Sequence, residues 1–157
     1  MVSFSSLDGL MDEKKGKLRL VIDTNLVVAS YFNPRSASAK ILRLLMDNTT
    51  VSIVYTEEMR REMRQILRNI RCPQTFLDGI NGIFDAGTKV SPSRKRRLVR
   101  DDPEDDKFVD CALAAGANYL ITNDHHMLKL KDIDDVEVLR PTQFVKRLEG
   151  ERRERSD

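Results

Sequence analysis

The segment that decides the fold is Leu18-Arg19-Leu20-Val21-Ile22-Asp23-Thr24-Asn25. Residues 18–22 are mostly apolar and rich in strand formers, so they predict a short buried β-strand that ends at Asp23. A helical region in two parts is predicted to follow, because Pro34 breaks the apolar pattern between the parts. A strand that leads directly into a helix is the repeating unit of α/β proteins.

The same alternation of strand and helix continues along the chain. Four more strands are predicted at 50–55, 88–91, 119–122 and 136–139, with helical stretches between them. Strands that alternate with helices indicate a parallel sheet covered by helices on both faces. The sequence therefore predicts an α/β protein with a central, mainly parallel sheet of about five strands.

The length of 157 residues fits one domain. Residues 1–16 lack periodicity and are predicted to be a loose N-terminal leader, and residues 149–157 a charged C-terminal tail. Residues 17–148 would form the folded domain. The formal net charge of +2 is too small to indicate nucleic-acid binding without a suitable distribution of the charges.

Cysteine usage and hydropathy bear on the compartment. Cys72 and Cys111 lie in no paired motif, so both are predicted to be reduced, structural thiols. No apolar run approaches the roughly 18 residues of a membrane span. Asp8 and Gly9 interrupt the only apolar stretch near the N-terminus, which argues against a signal peptide. We expect a cytoplasmic protein that does not enter a membrane.

Two acidic residues stand directly after predicted strands. Asp23 follows the first strand and Asp124 follows the fourth. In an open parallel sheet the ligand site lies at the carboxyl ends of the strands, so both side chains are predicted to emerge at that edge. Capping of the following turn or helix is an alternative role for each of them.

A third acid lies on the helix that Thr56 is predicted to cap, with Glu57 and Glu58 in its first turn. Five apolar residues form a stripe at helical spacing on that helix: Met59, Met63, Ile66, Leu67 and Ile70. Glu62 falls on the margin of this stripe, whereas Glu57 lies nearly opposite. An acid beside a buried face either pairs with a base, for instance an arginine, or faces a site.

A fourth acid is predicted to point inward from a helix that begins near Asp102. The buried face of that helix is formed by Phe108, Val109, Cys111, Ala112 and Ala115. Asp105 shares this face, while Asp106 and Asp110 are predicted to point into solvent. The alternative role of Asp105 is that of a first-turn acid favoured by the helix dipole, or of the second half of a capping box from Asp102.

The chemistry of four converging carboxylates is specific. Such groups raise one another's pKa, and they stay ionised only around a cation. All-oxygen ligands select hard ions such as Mg²⁺ or Mn²⁺. An ion of this kind suits phosphodiester hydrolysis, because it activates a water and stabilises charge on the phosphate and the leaving oxygen.

Four motifs, taken in this order along the chain, resemble a PIN domain. They are Val21-Ile22-Asp23-Thr24-Asn25, Thr56-Glu57-Glu58-Met59-Arg60-Arg61-Glu62-Met63, Asp105-Asp106-Lys107-Phe108 with Ala114-Ala115-Gly116-Ala117, and Leu120-Ile121-Thr122-Asn123-Asp124. The run from Asp102 to Phe108 is similar to the branch of toxin components of toxin–antitoxin systems, related to VapC-type toxins. The resemblance covers roughly residues 17 to 147.

The resemblance implies a three-layer α/β/α sandwich and a Mg²⁺- or Mn²⁺-dependent endoribonuclease that cuts single-stranded RNA. It implies a homodimer or higher homo-oligomer and an antitoxin protein as partner. Two alternatives stay open: an RNA-processing PIN nuclease without an antitoxin, and a non-catalytic PIN-fold interaction module. All four acids are present, which favours a nuclease over the interaction module.

The resemblance also implies roles for individual residues. Asp23 and Asp105 would bind the metal most directly, Asp124 directly or through water, and Glu62 through a water on the ion. Which of these acids orients the attacking water is left open. The supporting polar groups implied beside the acids are Thr24, Asn25, Thr122 and Asn123.

A basic stretch precedes Asp105, the third of the four acids along the sequence. Its candidate RNA-binding residues are Arg94, Lys95, Arg96, Arg97 and Arg100. They would hold RNA phosphates near the metal. A solvated loop that balances the acids after it is the alternative.

Other site types fit the sequence less well. His125 and His126 suggest a transition-metal site, but adjacent residues point in different directions and no third soft ligand lies at a useful spacing, which favours exposed polar residues. An aspartyl phosphatase usually needs a second carboxylate at the position of Asn25. A dinucleotide-binding domain needs a glycine-rich turn after the first strand, and none is present there.

Overall fold

The computed structural model describes residues 16–92 and 106–156; for Asp106 and residues 152–156 it describes the backbone alone. Within these ranges the strands are β1 (Leu18–Ile22), β2 (Val51–Tyr55), β3 (Thr88–Lys89), β4 (Tyr119–Ile121), β5 (Asp132–Ile133) and β6 (Val136–Leu139). The helices are α1 (Thr24–Phe32), α2 (Ala37–Asp47), α3 (Glu57–Asn69), α4 (Gln74–Ala86), α5 (Asp106–Ala115), α6 (His125–Leu128) and α7 (Pro141–Ser156).

One sheet organises the fold, with strand order β3-β2-β1-β4-β6-β5. The pairs β1–β2, β2–β3, β1–β4 and β4–β6 are parallel, and β5 pairs antiparallel with β6 at one edge. The predicted three-layer α/β/α sandwich around a mainly parallel sheet is confirmed. The sheet has six strands where about five were predicted, and the additional strand is β5, whose two residues are too few to show an alternating pattern.

Strand β1 lies at the centre of the hydrophobic core. Leu18, Leu20, Val21 and Ile22 are all buried. A strand covered on both faces reads as a continuous apolar run, and this is why the opening segment predicts a buried strand correctly. Helix α5 packs against β1, β2 and β4.

Local signals set most helix boundaries. The Ser36 side chain accepts a hydrogen bond from the backbone of Ala39 and caps α2, just after the break that Pro34 makes. Thr56 caps α3 in the same way through Met59. Such caps satisfy backbone N–H groups that have no partner within the first turn of a helix.

Helix α5 ends at a glycine with left-handed backbone conformation. Gly116 has φ 60°, the backbone N–H of Ala117 bonds to the carbonyl of Ala112, and that of Gly116 bonds to Leu113. This pair of hydrogen bonds is a Schellman motif, which reverses the chain into β4.

The C-terminal helix α7 contacts β4 and β6 through its side chains. Phe144 is buried and its ring meets that of Tyr119 edge-on, with centroids 5.3 Å apart. Arg147 bonds to Glu137 on β6. The helix continues to residue 156, through most of the stretch predicted as a charged tail. The predicted domain boundaries at 16 and 148 stay predictions, and residues 1–15 of the leader lie outside the described residues.

Both cysteines are free and buried. Burial raises the pKa of the Cys111 thiol to about 12, so that this thiol stays protonated in the core. In the described part of the chain, no helix is long and apolar enough to cross a membrane.

Candidate active site

The candidate site lies where the strand order of the sheet reverses. Strands β2 and β3 follow β1 on one side of the sheet. Strands β4 and β6 lie on the other side of β1. Loops diverge at such a point and leave a crevice at the carboxyl ends of the strands. Asp23 follows β1, and its backbone N–H bonds to the carbonyl of Ile121 at the end of β4 over 3.1 Å.

Asp23 is held by two hydrogen bonds in a buried position. Its side chain is 5% exposed. Oδ1 accepts the backbone N–H of Asn25 over 3.0 Å, and Oδ2 accepts the Thr122 hydroxyl over 2.8 Å. The alternative role as a helix cap is therefore real, since Asp23 is the N-cap of α1. Capping occupies one acceptor position, and a carboxylate offers about four.

Thr122 connects the acids that follow the two central strands. It is fully buried. Its hydroxyl donates to Asp23 and accepts the backbone N–H of Asp124 over 2.9 Å. Asp124 in turn caps the short helix α6, because its Oδ1 accepts the backbone N–H of His126 over 2.8 Å.

Glu62 is fixed from two sides. The Thr24 hydroxyl donates a hydrogen bond of 2.8 Å to Oε1, and the Lys107 ammonium donates one of 2.5 Å to Oε2. The Lys107 side chain is 12% exposed and that of Glu62 is 34% exposed. Glu62 thus lies at the margin of the apolar face of α3, as predicted, but its ionic partner is a lysine of α5 and not an arginine.

Two of the four residues predicted as supporting polar groups contact the acids through their side chains. These are Thr24, on Glu62, and Thr122, on Asp23. Asn25 and Asn123 are exposed, and Asn25 contributes its backbone N–H to Asp23. Sequence reasoning missed Lys107, although its place in the motif that starts at Asp105 was a signal that could have identified it.

A PIN-domain family model matches residues 19–126, which is more than half of the chain. The chain belongs to the PIN-domain family. PIN domains are generally nucleases. The matched region contains Asp23, Glu62, Thr122 and Asp124 and ends at His126.

Known proteins similar to this PIN domain come from archaea and bacteria. The uncharacterized protein MJ1680 of Methanocaldococcus jannaschii is 24% identical over 127 residues, which are 76% of this chain and 79% of the relative. A chain in the crystal structure of VapBC2 from Rickettsia felis, bound to a DNA fragment from their promoter, aligns with TM-score 0.51 and 16% identity. The alignment covers 78% of this chain and 98% of the Rickettsia felis chain.

The crystal structure of PAE2754 from Pyrobaculum aerophilum aligns with TM-score 0.55 and 12% identity over 87% of this chain and 92% of its own. At these identities the likeness to both solved structures establishes the fold alone. It agrees with the central, mainly parallel sheet flanked by helices.

Hydrogen bonds bring three acids of the PIN domain together, because Thr122 bonds to Asp23 and Asp124, and Thr24, the neighbour of Asp23, bonds to Glu62. The pKa of Asp23 is raised above its ordinary value of 3.8, chiefly by burial. Hydrogen bonds from Asn25 and Thr122 lower it, and the negative charges of Asp124 and Glu62 raise it further. Burial and nearby like charge both disfavour the ionised form of a carboxyl group.

These three carboxylates are a donor set that fits a hard divalent cation. Hydrogen bonds orient their oxygens. A bound cation would offset the repulsion between the negative charge of Asp23 and those of Asp124 and Glu62. All-oxygen ligands favour Mg²⁺ and Mn²⁺. Lys107 supplies one positive charge at the rim of the group through Glu62.

Several predicted site residues lie outside the described residues. They are Asp105 and the candidate RNA-binding residues Arg94, Lys95, Arg96, Arg97 and Arg100. Helix α5 starts next to Asp105, and Lys107 in its first turn contacts Glu62, so the beginning of α5 adjoins the site.

One prediction on α5 is wrong. Asp110 is 5% exposed and does not point into solvent. The apolar stripe marked only part of the buried surface of α5, because this helix packs against three strands, β1, β2 and β4.

Proposed function

We propose that this PIN domain is a metal-dependent endoribonuclease that hydrolyses phosphodiester bonds of single-stranded RNA. The observation that carries the proposal is the grouping of Asp23, Glu62 and Asp124 at the carboxyl edge of the sheet, where burial and like charge raise the pKa of Asp23. Acids that lie together in such a position repel one another, and they are typical of functional sites.

Mg²⁺ or Mn²⁺ is the proposed cofactor, held by Asp23, Asp105 and Asp124, with Glu62 acting through a water. When bound, the ion supplies Lewis acidity for attack of water on the phosphate and for departure of the leaving oxygen. The family, whose members are generally nucleases, and the donor set of the described acids support this assignment.

The remaining residues of the site position the acids. Thr122 keeps Asp23 and Asp124 in a fixed relation, since its one hydroxyl bonds to both residues. Thr24 and Lys107 restrict Glu62 to one orientation. Preorganised ligands of this kind lower the cost of assembling the reactive arrangement. The basic stretch Arg94–Arg97 with Arg100 is proposed to hold RNA phosphates.

We further propose a toxin role, with a cognate antitoxin as partner, in the cytoplasm. The support is the motif from Asp102 to Phe108 and the likeness in fold to the chain of the Rickettsia felis VapBC2 structure. An RNA-processing nuclease without an antitoxin and a non-catalytic interaction module are the alternatives. Induction of the wild type in a bacterial host should arrest growth, and induction of Asp23→Asn should not.

A homodimer or higher homo-oligomer is proposed as the working state. Phe32 and Met46 are large apolar side chains with 67% and 47% exposure. The Phe32 ring meets that of Tyr31 edge-on, and Tyr31 in turn meets Phe76 of helix α4. Met46 also lies against α4, at Gly79. Light scattering on wild type and Phe32→Ser would measure the mass; a monomeric wild type would contradict the proposal.

The nuclease is tested by cleavage of a labelled single-stranded RNA with Mg²⁺, Mn²⁺ or EDTA. Asp23→Asn, Asp105→Asn and Glu62→Gln should lose most activity while circular dichroism shows an intact fold. Glu58→Gln is the matched control, because it makes the same change at an exposed position of the same helix. Equal cleavage by wild type and the acid variants would overturn the site, and single-stranded DNA in parallel tests the choice of RNA.

A further inference from the structure

Two histidines beside the acids form a cluster that the proposed nuclease reaction does not use. Asp124, His125 and His126 each offer one ligand atom, and these atoms all lie within 4.8 Å of one another. The two imidazole rings have centroids 4.1 Å apart and a tilt of 44°. Nδ1 of His126 lies 3.5 Å from Oδ1 of Asp124.

The structure changes the sequence-based interpretation of these histidines. Adjacent residues were expected to point in different directions, but the two imidazole rings lie against each other. The third ligand is not a soft donor but a carboxylate oxygen of Asp124. The backbone there is well anchored, because Met127 is fully buried and Asp124 caps the helix.

We propose that Asp124, His125 and His126 form a binding site for one borderline divalent ion, with Zn²⁺ as its preferred occupant. Neutral imidazole suits zinc and related transition metals, whereas Mg²⁺ prefers oxygen alone. Two nitrogens and one carboxylate oxygen make a three-ligand zinc set with a fourth position for water. Tetrahedral zinc needs donor atoms about 3.4 Å apart, and Nδ1 of His126 and Oδ1 of Asp124 already lie 3.5 Å apart.

This site shares Asp124 with the proposed hard-ion site. Zinc bound by the histidines takes the Asp124 carboxylate, and so it weakens the hold on Mg²⁺. Zinc is therefore an inhibitor of RNA cleavage, relieved by excess Mg²⁺. This consequence rests on the proposed function, whereas zinc binding itself does not.

Binding is tested by calorimetry with ZnCl₂ and by the visible absorption of Co²⁺, both without Mg²⁺. Wild type should bind one equivalent at this cluster. Loss of one imidazole ligand in His125→Asn or His126→Asn should weaken binding about tenfold or more, and the double variant should lose the site. Asp23→Asn is the matched control, because it removes an acid of the hard-ion site and keeps all three zinc ligands.

A second measurement needs no variant. His125 and His126 are the two histidines of the chain, so the imidazole nitrogen signals in an NMR spectrum come from this cluster alone. Zn²⁺ should shift them far more than Mg²⁺ does, because only Zn²⁺ bonds to the imidazole nitrogens while Mg²⁺ binds the neighbouring Asp124 carboxylate. Unchanged signals with Zn²⁺, or equal zinc affinity of wild type and the double histidine variant, would overturn the zinc site.

The coupling to catalysis is tested separately. Zinc should inhibit wild-type cleavage at concentrations that leave the double histidine variant active. Equal inhibition of both would place inhibitory zinc at the hard-ion site and refute the coupling. A protein that binds zinc through its histidines but cuts no RNA would refute the nuclease and leave the zinc site standing.

Discussion

The Thr122 hydroxyl donates a hydrogen bond of 2.8 Å to Oδ2 of Asp23, across 99 positions of sequence. The same oxygen accepts the backbone N–H of Asp124. One buried hydroxyl therefore links the acids that end β1 and β4. Because the Asp23 carboxylate is buried, loss of this hydroxyl removes a hydrogen bond that water cannot readily replace.

Thr122→Val keeps the shape of the side chain and removes the hydroxyl. We expect it to lower the free energy of unfolding by about 1–3 kcal/mol, the range for an unsatisfied buried polar group, and to lower RNA cleavage. Thr122→Ser, the matched control, retains the hydroxyl and should keep most activity. Urea unfolding with a cleavage assay measures both effects. A Val variant as active as the Ser variant would contradict a positioning role.

Asp23→Asn should stabilise the metal-free protein at neutral pH. The pKa of Asp23 is raised in the folded state, first by burial and then by Asp124 and Glu62, so the charged form opposes folding. Asparagine is an equally good N-cap, which preserves the start of α1, and its amide nitrogen can donate to the Thr122 oxygen in place of the hydrogen bond that Oδ2 accepts. Thermal unfolding in EDTA should show a higher midpoint for the variant.

The same shift predicts a pH dependence. A raised folded-state pKa means that the folded protein binds more protons, so the free energy of unfolding falls as pH rises from about 3.8 through the folded value. Above the folded-state pKa of Asp23, this contribution to the free energy of unfolding is fully lost. The stability advantage of Asp23→Asn in EDTA should therefore shrink as pH falls toward 3.8. An advantage that is independent of pH would contradict this origin.

Lys107→Met should increase the affinity of the site for Mg²⁺. The Lys107 ammonium contacts Glu62, and it opposes a divalent cation nearby. One unit charge at about 4 Å in water contributes about 1 kcal/mol, so we expect a gain of up to about fivefold in calorimetry. Lys107→Arg keeps the charge and should bind as wild type does. Weaker Mg²⁺ binding by the Met variant would show that Lys107 mainly positions Glu62.

Gly116→Ala should destabilise the fold by about 1 kcal/mol, because φ of 60° is unfavourable for any residue with a Cβ. Space is not the cause, since the nearest atom to an added Cβ is Nη2 of Arg19 at 3.9 Å. Gly150→Ala is the control. It lies inside α7 with nothing within 4 Å of an added Cβ, and it should stabilise by about 0.5–1 kcal/mol. Thermal denaturation should show shifts of opposite sign.

The fold could be predicted largely from local pattern. The apolar runs at β1, β2, β4 and β6 are short and bounded, and Pro34 and Gly116 interrupt helical stretches through backbone chemistry that acts at their own positions. The edge strand β5 was missed because it depends on pairing with β6 across a two-residue turn, and its own two residues carry no pattern.

For the site, the sequence by itself determined which acids follow strands. It also determined that Glu62 lies at the margin of an apolar stripe, because both features depend on local periodicity. Only the tertiary structure decided that Lys107 pairs with Glu62, that Asp110 is buried, and that Thr122 links two acids. The physical reason is that a periodic pattern reports which face of an element is apolar. It carries no information about which partner, distant in sequence, covers the other faces or meets a polar atom there.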